Sequence, residues 1–353
     1  MHERHRMQAT NTYGAIVLLM VILVFLLINF LSILFEDVVT SYYDLDYYYD
    51  SSDVKEVIVS HNSSDLPYIP SNPFKTPVRK PADIPRRFLI EEKDFCRRRD
   101  NLQVVSYVHS AISRVDQRRD TRRTWANSSA FGINIAVVFM VGRAKNYREK
   151  KIVEEESRRY HDIVQGNYAD HYHLLSYKAL ASLHWITRHC SHVPWTLHAD
   201  DDLLVDTFLL QKLIHDLDDK SKEKFICKRL EGWVLRRGKW QVREEEYPRR
   251  TYPSYCQGIF WLLATHQVPK LLQASKEVDF LWVDDAYITG VLAEKTETTI
   301  KDIDSKLADT YFERADIGKN VAWYHVMENR EELWKNITHY YKKLSAKSGI
   351  IDG

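Results

Sequence analysis

Ile133-Asn134-Ile135-Ala136-Val137-Val138-Phe139-Met140-Val141 is a nearly continuous apolar run that stops at Gly142. A strand wetted on one face alternates apolar and polar residues. One that is apolar at almost every position needs cover on both faces, which is the habit of parallel sheets between helices. Outward from it, Leu102–His109 (LQVVSYVH) reads as an earlier strand and Trp195–Ala199 (WTLHA) as a later one. Between them, Glu149–Ile163 carries charges at helical spacing, and Tyr177–His189 reads as an amphipathic helix. The alternation predicts an α/β fold with a mostly parallel sheet between helices, spanning residues 100–345 with a short tail at 346–353. Ligands of such sheets sit beyond the carboxyl ends of the strands.

The segment before this domain differs in character. Residues 15–35 (AIVLLMVILVFLLINFLSILF) carry no charge, and 21 residues at 1.5 Å each span a hydrocarbon core of about 30 Å. Arg4 and Arg6 precede them, while Glu36 and Asp37 follow. The positive-inside bias predicts a cytoplasmic tail at 1–14, a signal-anchor at 15–35 and a lumenal remainder, a type II arrangement. The run is too long for a signal-peptide core, and no A-x-A-like cleavage site follows it. Residues 36–99 read as a stem. Six of the ten prolines lie between Pro67 and Pro85, and the acidic tyrosine run Tyr42–Asp50 suits a solvated linker. Sequons at Asn62, Asn127 and Asn336 all fall on the predicted lumenal side. So do Cys96, Cys190, Cys227 and Cys256, which permit two disulfides or buried thiols without fixing a pairing.

Composition excludes several classes. The 353 residues carry 50 Lys and Arg against 49 Asp and Glu, a net charge of +1, which argues against binding nucleic acid through bulk charge. Four cysteines are too few for a disulfide scaffold, and none forms a C-x-x-C pair. The histidines at 161, 171, 173, 184, 189, 192 and 198 match no compact zinc-ligand spacing.

The informative charge is local. Asp200-Asp201-Asp202 follows the WTLHA run. Three adjacent carboxylates repel one another unless something neutralises them, and a hard divalent cation with oxygen ligands does so. An acidic turn or helix cap accounts for the same residues without a metal. A second pair, Asp284-Asp285, lies in LWVDDAYITG and reads as a helix start or as a general base with a pKa raised by burial.

The ordered blocks resemble glycosyltransferase family 31, which includes the Golgi β-1,3-galactosyltransferases and β-1,3-N-acetylglucosaminyltransferases. Arg118–Trp125 is similar to its R-x-x-I-R-x-T-W block, and Phe139–Gly142 to its F-L-L-G strand. Glu156, Tyr160, Asp162-Ile163, Asp170-His171-Tyr172, Leu175-Ser176 and Lys178 follow its next run in order. Ala199–Asp202 resembles the K-x-D-D-D motif, Lys239–Gly258 the KW…YP.Y..G segment, and Asp284–Tyr287 stands for E-D-V-Y. His325 and Trp334 resemble a later H…W block. Leu174 and Thr121 depart from the pattern, as does the spacing between Asp284 and Gly290.

That resemblance implies a GT-A-like nucleotide-sugar-binding domain and an inverting β-1,3-hexosyltransferase. It would move a hexose, galactose first, from a UDP-sugar to the 3-hydroxyl of a glycan on protein or lipid, in the Golgi membrane. It implies Mn²⁺ or Mg²⁺ held by Asp202 and His325, with Asp200 and Asp201 beside the donor, Arg122 on its phosphates and Asp285 as base. Trp125, Trp261 and Trp282 would line the site. The alternatives are N-acetylglucosaminyl, N-acetylgalactosaminyl or glucuronosyl transfer, or a tethered sugar-binding protein on the same fold. A Mg²⁺ phosphohydrolase fits less well, for want of a second dense carboxylate cluster. The oligomeric state is left open between monomer and homodimer.

Overall fold

The computed structural model describes residues 86–126, 132–310 and 316–348. The proposed anchor, most of the stem and the sequons Asn62 and Asn127 lie outside them. Among the described residues no helix is long and apolar enough to cross a membrane. The described residues up to 236 and from 242 onward belong to one compact unit, and residues 237–241 fall outside it.

The strands of the main sheet are β1 (Phe88–Ile90), β2 (Val104–His109), β3 (Ile135–Arg143), β4 (Ile163–Ala169), β5 (Trp195–Asp200), β7 (Phe225–Leu230), β8 (Tyr255–Ala264) and β9 (Ile300–Asp302). Their order is β1-β4-β3-β2-β5-β8-β7-β9. A smaller sheet joins β10 (Leu307–Asp309), β11 (Ala322–Tyr324) and β6 (Leu204–Val205). The expectation of a mostly parallel sheet is corrected to a mixed one. β4, β3, β2 and β5 run parallel, but β8 is antiparallel to both β5 and β7, and β1 is antiparallel to β4.

β2 and β3 are buried along almost their whole length because the sheet is covered on both faces. Alternate residues feed two cores. Val105, Tyr107, Ala136, Val138 and Met140 pack with Leu180, Leu183 and Ile186. Val104, Val108, Val137, Phe139 and Val141 pack with Val153, Leu210 and Trp323. The helices are α1 (Val115–Arg123), α2 (Tyr147–Tyr160), α3 (Leu175–His189), α4 (Thr207–His215), α5 (Asp219–Lys222), α6 (Val268–Ala274), α7 (Leu292–Lys295) and α8 (Arg330–Ser348), with a π-turn at Ala286–Val291. Asn146 caps α2 by accepting the Glu149 amide at 2.9 Å. The predicted helix to Ile163 ends three residues early, because His161 adopts a left-handed φ of 51° and Ile163 starts β4.

The domain also begins earlier than residue 100. β1 pairs with β4, and Cys96 is disulfide-bonded to Cys190 at the end of α3. The second bridge joins Cys227 of β7 to Cys256 of β8.

Candidate functional site

Two parallel strands end together. His109, the last residue of β2, lies opposite Asp200, the last of β5. The chain turns at once after β5, so Asp200, Asp201 and Asp202 project at the carboxyl edge of the sheet, and β6 then leads into α4. Asp206 caps that helix by accepting the Phe208 and Leu209 amides at 3.0 Å each.

The three aspartates have different surroundings. Asp201 is buried and committed to the chain itself. Its Oδ2 accepts the Ser110 hydroxyl at 2.7 Å, its Oδ1 lies 2.8 Å from Arg114 Nε, and its carbonyl accepts Arg330 Nη1 at 2.9 Å. Burial still pushes its pKa up, against the pull of Arg114. Asp200 is held well above the carboxylate range, by burial first and then by repulsion from Asp202, Asp284 and Asp201. Asp202 keeps a buried Oδ1 with no hydrogen-bond partner among the described residues. A buried carboxylate oxygen without a donor is costly, and a cation would remove the cost.

His325 lies one residue past β11 with a φ of 58°. Its Nδ1 sits 3.0 Å from Asp309 Oδ1, which sets Nδ1 as the protonated nitrogen and Nε2 as the one with the lone pair. The next residue, Val326, donates its amide to the Asp202 carbonyl at 2.9 Å, so the two segments are joined side by side. Carboxylate oxygen suits Mn²⁺, and imidazole nitrogen suits it less but is permitted beside it.

Asp284 and Asp285 start the helical turn after a short loop. Asp285 Oδ1 accepts the Ala286 amide at 2.7 Å. Its carbonyl accepts the Thr289 hydroxyl at 2.6 Å, and that hydroxyl in turn accepts the Cys256 amide at 2.8 Å. Gly258 of β8 allows the close approach, since a methyl group there would lie 3.3 Å from Asp285 Oδ2. Burial raises the Asp285 pKa to about 7, helped by the charge of Asp284, while hydrogen bonds from the Ala286 and Gly258 amides pull it down. Burial likewise raises Asp284 to about 6. A carboxyl titrating near neutrality suits proton abstraction.

A galactosyltransferase family model matches residues 116–304, more than half of the chain. The chain belongs to the galactosyltransferase family. It is 29% identical over 216 residues to human beta-1,3-galactosyltransferase 2, covering 59% of this chain and 51% of that protein. Against mouse beta-1,3-galactosyltransferase 1 it is 27% identical over 205 residues, covering 57% of this chain and 63% of that one. The chain thus spans about half the length of the first of these relatives. Among solved structures, the WbbM bifunctional glycosyltransferase overlaps at a TM-score of 0.39 with 9% identity, covering 69% of this chain and 52% of that one. Mouse xyloside xylosyltransferase 1 overlaps at 0.34 with 11% identity, covering 64% and 98%.

In this galactosyltransferase-family chain the residues expected at the site divide into two groups. Asp200, Asp201 and Asp202 gather at one edge, with the His325 segment bonded to Asp202 and with Asp284 close enough to raise the Asp200 pKa. Arg122 is paired within its own chain. Its Nε and Nη2 pair with both Asp162 oxygens at 2.7 and 2.8 Å, and its Nη1 meets Glu156 at 2.7 Å. Tyr160 and Phe139 cover its guanidinium at 4.1 and 4.7 Å. That guanidinium is committed to carboxylates of its own chain. Trp125 and Trp261 are core residues at 0% and 2% exposure, with the Trp125 indole donating to the Leu203 carbonyl at 3.1 Å. Trp282 is half-buried, against His173 and Tyr172.

Several residues at the site were given no role there by sequence. Ser110 and Arg114 hold Asp201. Lys178 bridges the Ser110 carbonyl at 2.8 Å and Asp170 at 2.7 Å. His109, His198, Asp309 and Gly258 complete the setting. Ser110, Arg114 and His109 lie within six residues of one strand end, which is where a βα loop of this fold places ligand-facing groups.

Proposed function

We propose that this chain is an inverting β-1,3-hexosyltransferase with a GT-A-like domain, moving galactose from a UDP-sugar to the 3-hydroxyl of a glycan acceptor. The observation that carries the reading is Asp285, its pKa raised to about 7, packed against Gly258 of β8 and next to Asp284, whose charge reaches Asp200.

Asp202 and His325 would hold Mn²⁺ or Mg²⁺, which when bound supplies charge to stabilise the leaving diphosphate. The orphaned Asp202 Oδ1 and the Asp309-fixed tautomer of His325 support that assignment. Asp200 stands beside the donor. Asp201 acts from behind, keeping the turn in place through Ser110, Arg114 and Arg330. Asp285 takes the proton of the acceptor hydroxyl. The hydroxyl oxygen forms a bond to the anomeric carbon as the bond from that carbon to the UDP oxygen breaks. UDP departs with the bonding pair, and attack from the opposite face converts an α-linked donor to a β product. Trp282, close to the base in sequence, offers a ring face to the acceptor sugar. The uncharged run at residues 15–35 supports a Golgi membrane anchor with the domain lumenal.

The test is a panel of UDP-sugars with oligosaccharides bearing a free 3-hydroxyl, read by UDP release and product linkage. UDP-galactose should give acceptor-dependent release and a β-1,3 linkage. Release with a different donor alone would replace galactose. No acceptor-dependent release with any donor would leave the tethered sugar-binding protein as the better reading.

A further inference from the structure

We propose that His109, His198 and Asp284 form a second divalent-cation site, chemically distinct from the Asp202–His325 pair and suited to nitrogen-liking ions such as Zn²⁺. One candidate ligand atom from each residue lies within 4.8 Å of the other two. The inference does not depend on the transferase reading.

The three residues converge from separate elements. His109 ends β2, His198 lies two residues before the end of β5, and Asp284 lies just before the π-turn Ala286–Val291. The imidazoles meet edge to face with centroids 4.6 Å apart, walled by Tyr107 and Trp261. Both are almost fully buried, at 6% and 1% exposure.

Their hydrogen bonding is incomplete in a telling way. His198 Nε2 lies 2.7 Å from the Gly258 carbonyl, so it is the protonated nitrogen and Nδ1 carries the lone pair. That Nδ1 has no hydrogen-bond partner among the described residues. A histidine that donates one ring nitrogen to a carbonyl and presents the other unpaired has the arrangement of a metal-ligating imidazole. His109 Nδ1 lies 3.7 Å from Asp284 Oδ2, too long for a hydrogen bond. It is close to the separation of two ligands on one ion, since bonds of about 2.1 Å at about 110–120° place their ends about 3.4–3.6 Å apart. Two imidazoles and one carboxylate favour zinc over magnesium or calcium, which prefer oxygen.

The test uses the full-length protein in detergent, stripped with chelator and titrated with Co²⁺. Tetrahedral Co²⁺ absorbs visible light far more strongly than the octahedral ion expected at Asp202 and His325. The wild type should show an intense band saturating at one equivalent and displaced by Zn²⁺. His109→Gln and Asp284→Asn should each weaken binding by at least about tenfold, while Asp202→Asn keeps the band. If His109→Gln fails to fold by circular dichroism, Asp284→Asn alone decides, because Asp284 is only partly buried. The proposal is overturned by absence of the band in the wild type, by its survival in Asp284→Asn, or by its loss in Asp202→Asn.

Discussion

The pH dependence of transfer follows from the burial of Asp285. A base must be ionised to accept a proton, so activity should be full above its pKa and lost as pH falls through it. With a pKa of about 7, raised by burial and by Asp284, about a tenth of the molecules carry the ionised base at pH 6 and about nine tenths at pH 8. The ratio kcat/KM should therefore rise about tenfold between those values. An unperturbed aspartate, with a pKa near 3.9, would give a flat profile over the same range. Asp284→Asn removes the second of the two raising influences, so the acid limb should move to lower pH. The assay is UDP release at subsaturating acceptor across pH 5 to 9, with donor binding measured separately at each pH to remove its contribution. A profile flat from pH 6 to 8, with unchanged donor binding, would refute the assignment of a raised Asp285 as the base.

The ion pairs under the site predict a stability effect. Arg118 is fully buried and meets both Glu156 oxygens at 2.8 and 2.7 Å, so Arg118→Met should cost about 3–5 kcal/mol in denaturant unfolding, because Glu156 loses its bidentate partner. A loss under about 1 kcal/mol would mean that Arg122 alone satisfies Glu156. Opening the Cys227–Cys256 bridge, which closes a loop of separation 29, should cost roughly 3–4 kcal/mol on the chain-entropy account; paired serine substitutions and chemical denaturation check it. Chelation should abolish transfer and Mn²⁺ should restore it, and transfer that resists chelator would exclude a metal role for Asp202.

The central sheet was legible where chemistry and geometry coincide. Ile135–Val141 is apolar throughout because β3 is buried there on both faces, and its short length and flanking Gly142 mark it as a strand. The antiparallel half was not legible. β8 reads as YCQGIFWLLA, and an apolar run of that kind carries no mark of its direction, which is set by where the chain returns. β1 has only three residues, too few for a periodic signal. The carboxylates of the site stood out as Asp runs, but their different roles did not. Asp201 is distinguished from Asp202 by Ser110 and Arg114, which are about ninety residues away in sequence. Arg122 read as a donor contact because it lies in an Arg-rich run. On a helix it falls one turn from Arg118, and both side chains reach the same Glu156. The pairing of His325 with Asp309 likewise depends on two short strands that only the folded chain brings together.

The most direct measurement is the Asp285→Asn variant, assayed for both transfer and donor binding. The amide keeps the shape and can still accept the Ala286 amide hydrogen bond through its oxygen, but it cannot take a proton. Transfer should fall by about 10²–10⁴-fold, while UDP-galactose binding, followed by calorimetry, stays within about threefold of wild type. Turnover within about tenfold of wild type would contradict the account.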